Sequence, residues 1–256
     1  MAESESAVRV AVLAPDLLGT YGDGGNGVVL VERLRWRGLR AELVPVPSGT
    51  PVPAHCDVYC LGGGEDAPQV RAAAELADGS PLPKAVAAGA AMLAVCAGFQ
   101  IIGRSFPDAG GVIRDGLGLI DATTVKGPGR RAVGEVVSVP RPDLGLPTLS
   151  GYENHAGVTR LGPGVEPLGR VSTGVGNGSG DGAEGAARGR VFATYLHGPV
   201  LARNPALADA VLQSVTGPLE PLDDTEADAL RSERLERAAA ERATGWRRRA
   251  ARLLRI

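Results

Sequence analysis

The chain has 256 residues, a formal net charge of −2, three cysteines and three histidines. That length can bury a substantial core. The near-neutral charge gives no signal for nucleic acid or a membrane surface. The odd cysteine count gives no disulfide framework, and no run of ~18 apolar residues is present to span a bilayer, so the chain reads as a cytoplasmic protein.

Residues 8–13 form an apolar run of strand length that ends in Ala14-Pro15. A polar, glycine-rich loop follows, Gly19-Thr20-Tyr21-Gly22-Asp23-Gly24-Gly25-Asn26-Gly27. Residues 28–36 place Val28, Val31 and Leu34 at helical spacing, with Gly38 as a stop. Residues 41–46 and 57–61 read as the second and third strands, and the third runs into Gly62-Gly63-Gly64-Glu65-Asp66. Cys56 and Cys60 read as core residues. Helical stretches are expected around 69–77 and 83–88, and the strand 91–95 then meets Cys96. Strands alternating with helices predict an α/β fold: a mostly parallel central sheet flanked by helices.

After Gly116 the texture changes. Residues 119–125, 133–139 and 157–161 read as β segments of antiparallel type. Residues 172–189 are dominated by glycine and lack periodicity, which predicts a flexible loop or hairpin tip. Residues 190–195 form another apolar strand, followed by Leu196-His197-Gly198-Pro199. A helix is expected from Asn204-Pro205 to 215, and a long charged helix over 226–255. That helix carries a Glu233–Arg237 pair at i,i+4 spacing. Its end is crowded by Arg247, Arg248, Arg249, Arg252 and Arg255, which suits the helix dipole or an acidic partner. The expected organisation is an α/β domain over 1–218 and a helical extension over 219–256.

Cys96 is the most informative residue. It sits where an apolar strand meets a helix start, with Ala94 two residues before it and Gly98 two after. Small residues at those positions are what a nucleophile elbow needs, because the strained strand-to-helix turn leaves no room for bulk. A thiol at a helix N-terminus also gains thiolate character, and the Ala97 N–H would face a developing oxyanion. The alternative is a buried structural cysteine.

A cysteine nucleophile needs a base, usually histidine. His197 follows a strand directly, so it shares the C-terminal edge of a parallel sheet with Cys96, where ligands bind. A simple strand-end cap is the other reading of His197. His155, in Gly151-Tyr152-Glu153-Asn154-His155-Ala156-Gly157, is the rival base and is placed in the site wall with Asn154. The Gly62-Gly63-Gly64 turn frees backbone for a ligand, with Gly63 at the substrate site and Gly64 as a second oxyanion donor beside Ala97. Triple glycine would also satisfy a tight turn alone. Gln100 is expected to support the elbow or the substrate backbone.

Together, Leu61-Gly62-Gly63-Gly64-Glu65-Asp66, Ala94-Val95-Cys96-Ala97-Gly98-Phe99-Gln100 and Tyr195-Leu196-His197-Gly198-Pro199 resemble a class I glutamine amidotransferase. The Tyr21–Asn26 loop, Trp36-Arg37-Gly38 and the Gly151–Gly157 motif narrow the resemblance to the CobB/CobQ-like branch. Within that branch, it is to the glutaminase subunits of lipid II isoglutaminyl synthases. The resemblance covers roughly residues 8–215. It implies hydrolysis of L-glutamine, with Cys96 as nucleophile and His197 as base. It also implies an arginine for the substrate carboxylate at Arg131, with Arg130 as its neighbour.

The wider class carries a Glu two residues after the catalytic histidine, and here that position is Pro199. The resemblance implies that a partner ligase of the MurT type supplies an Asp instead, which would leave the isolated chain a weak glutaminase. The chain has no Gly-x-x-x-x-Gly-Lys-Ser loop. No cofactor is expected on it, and ATP and magnesium are assigned to the partner ligase, in a heterodimer. Alternative readings are a subunit for cobyrinate-type amidation, a cysteine hydrolase of dienelactone-hydrolase type, and a binding subunit without activity.

Overall fold

The computed structural model describes residues 6–77 and 79–253, with side chains of the last helix described to residue 240. In chain order the elements are β1 (Val8–Leu13), α1 (Gly25–Arg35), β2 (Ala41–Val46), β3 (Val58–Leu61), α2 (Asp66–Ala77), α3 (Leu82–Ala87), β4 (Ala91–Val95) and α4 (Ala97–Ile102). There follow β5 (Ser105–Pro107), β6 (Ile113–Asp115), β7 (Ala122–Lys126), β8 (Ala132–Pro140), β9 (Leu149–His155), β10 (Gly157–Leu161) and β11 (Gly169–Thr173). The chain continues through β12 (Ala183–Glu184), β13 (Ala186–Arg188), β14 (Val191–Thr194), α5 (Val200–Arg203), α6 (Pro205–Thr216) and α7 (Thr225–Leu253).

The central sheet runs in the order β13-β14-β4-β3-β1-β2. All its pairings are parallel except β13 on β14. Every residue of β3 and β4 is buried, as expected for strands covered on both faces, which read as continuous apolar runs. Two further four-stranded sheets, β10-β7-β5-β6 and β12-β11-β8-β9, account for the second texture of the sequence. They are antiparallel apart from the single β5–β7 pairing. The α/β class with a mostly parallel sheet is as the alternation of elements predicts.

Of the two expectations for the glycine-rich stretch 172–189, the hairpin tip holds, since β11 and β12 pair antiparallel around it, and the flexible loop does not. The stretch carries β12 and β13. Asn177 and Glu184 within it are fully buried. The Val175 and Gly176 N–H groups donate to the Glu153 carboxylate at 2.7 and 2.9 Å. The Asn177 amide brackets Gly185, donating to its carbonyl at 2.9 Å and accepting from its N–H at 2.8 Å. The stretch is ordered by buried polar side chains bonded to backbone, so an apolar repeat was never the signal to look for.

Helix α7 packs against β8, β9 and β11, and buries Ala238. The Glu233–Arg237 ion pair forms on it. The arginines from 247 onward lie outside the residues whose side chains are described.

Arg33 on α1 bolts the last third of the described chain to the first. Its guanidinium is buried and makes two-pronged bonds to Asp209 of α6 (2.8 and 2.7 Å) and Asp224 ahead of α7 (2.7 and 2.8 Å). Arg37 adds a third donor to Asp209 at 2.8 Å. Removing one partner from such a cluster leaves charge buried and uncompensated. Arg33→Ala is therefore expected to lose about 3–5 kcal/mol of folding stability, read as a lower urea midpoint. An unchanged midpoint would show that the bolt carries no net stability.

Candidate functional site

The site begins with the pairing of β14 and β4. These strands are parallel neighbours, with Thr194 beside Val95. Cys96 and His197 therefore emerge one and three residues past that register position, on the same edge of the sheet. Cys96 adopts φ 51° and ψ −104°, in the positive-φ region that side chains avoid. It is held there from both sides. Its N–H donates to the Thr194 carbonyl at 2.8 Å, and its carbonyl accepts from the Gln100 N–H at 3.1 Å. Gly98 is obligatory: a Cβ there would lie 2.5 Å from the Leu61 carbonyl oxygen.

His197 is 1% exposed and is fixed by its Nδ1, which lies 2.8 Å from Asp23 Oδ2. The same oxygen accepts the Gly63 N–H at 2.9 Å. A carboxylate on Nδ1 places that nitrogen's proton and leaves Nε2, which has no hydrogen-bond partner among the described residues, as the basic nitrogen. Burial works against a charged imidazole here. The hydrogen bond to Asp23 and the neighbouring Cys96 sulfur outweigh it, and His197 is raised to about 10. Asp23 thus stands at the third position from within this chain, on the side of the ring that the sequence reading left to a partner's Asp. Pro199 stands where the wider class has its Glu and packs against the glycine-rich loop instead. A Cβ on Gly25 would lie 2.8 Å from the Pro199 ring.

The loop that supplies Asp23 also supplies Tyr21, at φ 58°. The Tyr21 ring lies 5.0 Å from that of His197 and 5.3 Å from that of Tyr152, between centroids. Its hydroxyl accepts from Asn154 Nδ2. Asn154 is also bonded to Arg131, through its Oδ1 from Arg131 Nε and through its carbonyl from Nη2 at 3.2 Å.

A cleft of about 80 Å³ opens over the thiol. Among its walls are Gly64, Cys96, Ala97, Gln100, Arg131, Asn154 and His155. The structure thus brings together most of the residues that the sequence singles out. Arg130 is exposed and is not part of the cleft wall. Gly63 does not offer its N–H to a ligand either, because Asp23 takes it. Gly63 serves packing instead, since a Cβ on it would overlap the His197 ring. His155 stacks on Tyr195 with centroids 3.9 Å apart, and its Nδ1 meets the Gly157 carbonyl.

Gln100 is buried in a polar chain. Its Oε1 accepts from Gln69 Nε2 at 2.9 Å, and its Nε2 donates to the Tyr195 hydroxyl at 3.3 Å. That hydroxyl also bonds Thr159 at 2.6 Å, and burial pushes the Tyr195 phenol above its usual range.

The main residue that the sequence reading left without a role is Asp23. Its signal was present: one acidic residue in a glycine-rich loop after the first strand, at the ligand-binding edge of a parallel sheet.

Comparison with known proteins gives a consistent picture. The chain is 33% identical over 220 residues to the GatD subunit of the glutamine-hydrolysing lipid II isoglutaminyl synthase of Staphylococcus aureus, covering 83% of this chain and 88% of that one. It is 32% identical over 203 residues to the same subunit from Streptococcus pneumoniae, covering 78% and 77%. A cobyric acid synthase from Methylobacterium nodulans is 37% identical over 171 residues, but this chain spans only 33% of its length. A crystal structure described as a glutamine amidotransferase shares the fold, with a TM-score of 0.55 at 24% identity over 80% of this chain and 98% of that one. The family model for the CobB/CobQ-like glutamine amidotransferase domain matches residues 9–205. With the match running through the elbow, the histidine strand and the loop of Asp23, the chain belongs to the CobB/CobQ-like glutamine amidotransferase family.

Proposed function

We propose that this chain is a glutaminase subunit that hydrolyses L-glutamine to glutamate and ammonia through a thioester on Cys96. The ammonia is delivered to a MurT-like, ATP- and magnesium-dependent ligase in a heterodimer, which amidates the D-glutamate of lipid II to D-isoglutamine. The observation that carries the reading is the buried His197–Asp23 pair beside Cys96, whose thiol lines a cleft that Arg131 also walls. The similarity to GatD subunits supports the acceptor and the partner.

The chemistry follows from the geometry. His197 Nε2 takes the thiol proton, and the sulfur attacks the side-chain amide carbon of glutamine. The Ala97 and Gly64 N–H groups face the oxygen that gains charge, and one such donor is typically worth about 10²–10³ in rate. The tetrahedral intermediate collapses when the protonated His197 returns its proton to the nitrogen, releasing ammonia. Water, activated by the same nitrogen, then cleaves the thioester to glutamate and the free thiol. Asp23 keeps Nδ1 protonated and the ring oriented throughout. The Arg131 guanidinium matches the substrate carboxylate, and Asn154 holds it in place.

The purified chain is expected to release glutamate and ammonia from glutamine, and Cys96→Ala to abolish that release. Arg131→Ala should raise KM about 10–100-fold with a much smaller change in kcat, the signature of a lost charge-assisted contact to bound substrate. With the ligase partner, ATP, magnesium and lipid II, glutamine-dependent amidation should appear and should require Cys96. Turnover by the Cys96→Ala variant at the wild-type rate would overturn the reading.

Asp23→Asn tests the internal triad. The amide permits the wrong tautomer, so kcat should fall by about 10²–10⁴-fold with the fold intact. Stability should change with pH in a defined sense. His197 is raised from its ordinary 6.5 to about 10, so the stabilisation from its charged partner is fully present below pH 6.5 and is lost as pH climbs to 10. The deficit of Asp23→Asn in urea denaturation should be greatest below pH 6.5 and shrink towards pH 10. A deficit independent of pH would show that Asp23 does not charge the imidazole.

A further inference from the structure

The end of β14 carries an unusual burden. The Thr194 carbonyl fixes the Cys96 N–H, and the three residues that follow lead to His197. Yet β13 pairs with β14 only as far as Ala193, so on that side Thr194, the last residue of the strand, has no strand partner among the described residues. Glu184 stands in the gap. Its carboxyl Oε1 accepts from the Thr194 hydroxyl at 2.7 Å and from the Tyr195 N–H at 2.9 Å. The Thr194 oxygen in turn accepts the Leu196 N–H at 3.0 Å. One carboxyl oxygen therefore ties two successive residues directly and, through the Thr194 hydroxyl, a third, Leu196, which is adjacent to His197.

The support is built rather than incidental. Glu184 is fully buried, a costly place for a carboxyl unless it is bonded. Gly185, at φ 62°, allows the segment to press onto β14, because a Cβ there would overlap the Ala193 carbonyl. The two Asn177 bonds to Gly185 hold that approach from behind.

We propose that Glu184 is a positioning residue for the Cys96–His197 pair, acting through Thr194 and Tyr195 to hold the thiol and the imidazole in register. This inference rests on the glutaminase reading for its catalytic consequence but not for its geometric one.

The test uses the full chain and two readouts: glutamine hydrolysis, and the pH profile of Cys96 alkylation by iodoacetamide, which needs no substrate. Glu184→Gln keeps an acceptor oxygen in place and should hold kcat and the alkylation profile close to wild type. Glu184→Leu removes the tie. It should lower kcat about 10–100-fold with KM nearly unchanged, the scale expected for a displacement of about 1 Å, and shift the alkylation profile. Thr194→Val cuts the same tie at the hydroxyl without touching Glu184, and should move both readouts in the same direction by a smaller factor. It remains decisive if Glu184→Leu does not fold. A folded Glu184→Leu, or a Thr194→Val variant, with wild-type kcat and wild-type alkylation would overturn the inference. If wild type turns over no glutamine while Glu184→Leu still shifts the alkylation profile, the glutaminase reading fails and the positioning role stands.

Discussion

One carboxylate oxygen organises this site. Asp23 Oδ2 receives the Gly63 amide and the His197 ring, and so joins the loop after β1, the turn after β3 and the turn after β14. Each of those segments leaves the same edge of the parallel sheet. A parallel arrangement brings loop after loop to one edge but does not by itself set distances between them. Two hydrogen bonds to one buried anion do. The other Asp23 oxygen is buried with no hydrogen-bond partner among the described residues, so the carboxylate depends on these two bonds.

The close approach of those loops explains the small residues around them. A Cβ on Gly62 would overlap the Leu18 carbonyl, one on Gly63 would overlap the His197 ring, and one on Gly98 would crowd Leu61. These glycines supply absence of bulk at three points where backbone meets backbone or ring. Chemical groups come from the residues between them. Positive-φ strain is spent at only a few non-glycine residues, among them Tyr21 and Cys96, and both carry side chains that the site uses.

What the sequence made legible followed from periodicity and position. The central strands are apolar runs of the right length, and the rule that strand ends share an edge was enough to bring Cys96 and His197 together. Contacts made by side-chain polar groups with distant backbone were not legible. The stretch 172–189 has no apolar period because Asn177, Glu153 and Glu184 order it. Composition alone cannot separate a glycine-rich linker from a glycine-rich segment pinned by three buried polar side chains. Arg130 and Arg131 illustrate a finer limit. The two are adjacent and of one residue type, and only the family resemblance pointed to Arg131, which lines the cleft while Arg130 does not.

Pro199 shows that a carboxylate beside the ring need not come from the histidine's own turn. A histidine base requires a fixed tautomer, and the requirement is for a carboxylate at Nδ1, not for a carboxylate at one position in the chain. Here the position two past His197 is given to packing against Gly22 and Gly25. That packing steadies the loop from which Asp23 reaches the ring. The exchange relocates the anion from the histidine's own turn to a neighbouring loop, and makes the geometry of the base depend on how that loop is held. Tyr21, from the same loop, lies on the His197 ring and is bonded through Asn154 to Arg131. The residues around the His197 ring and Arg131 in the cleft wall are thus parts of one connected network. Only Asn154 and Tyr21 stand between Arg131 in the cleft wall and the loop that carries Asp23, so the contacts that hold the guanidinium and those that hold the imidazole are continuous.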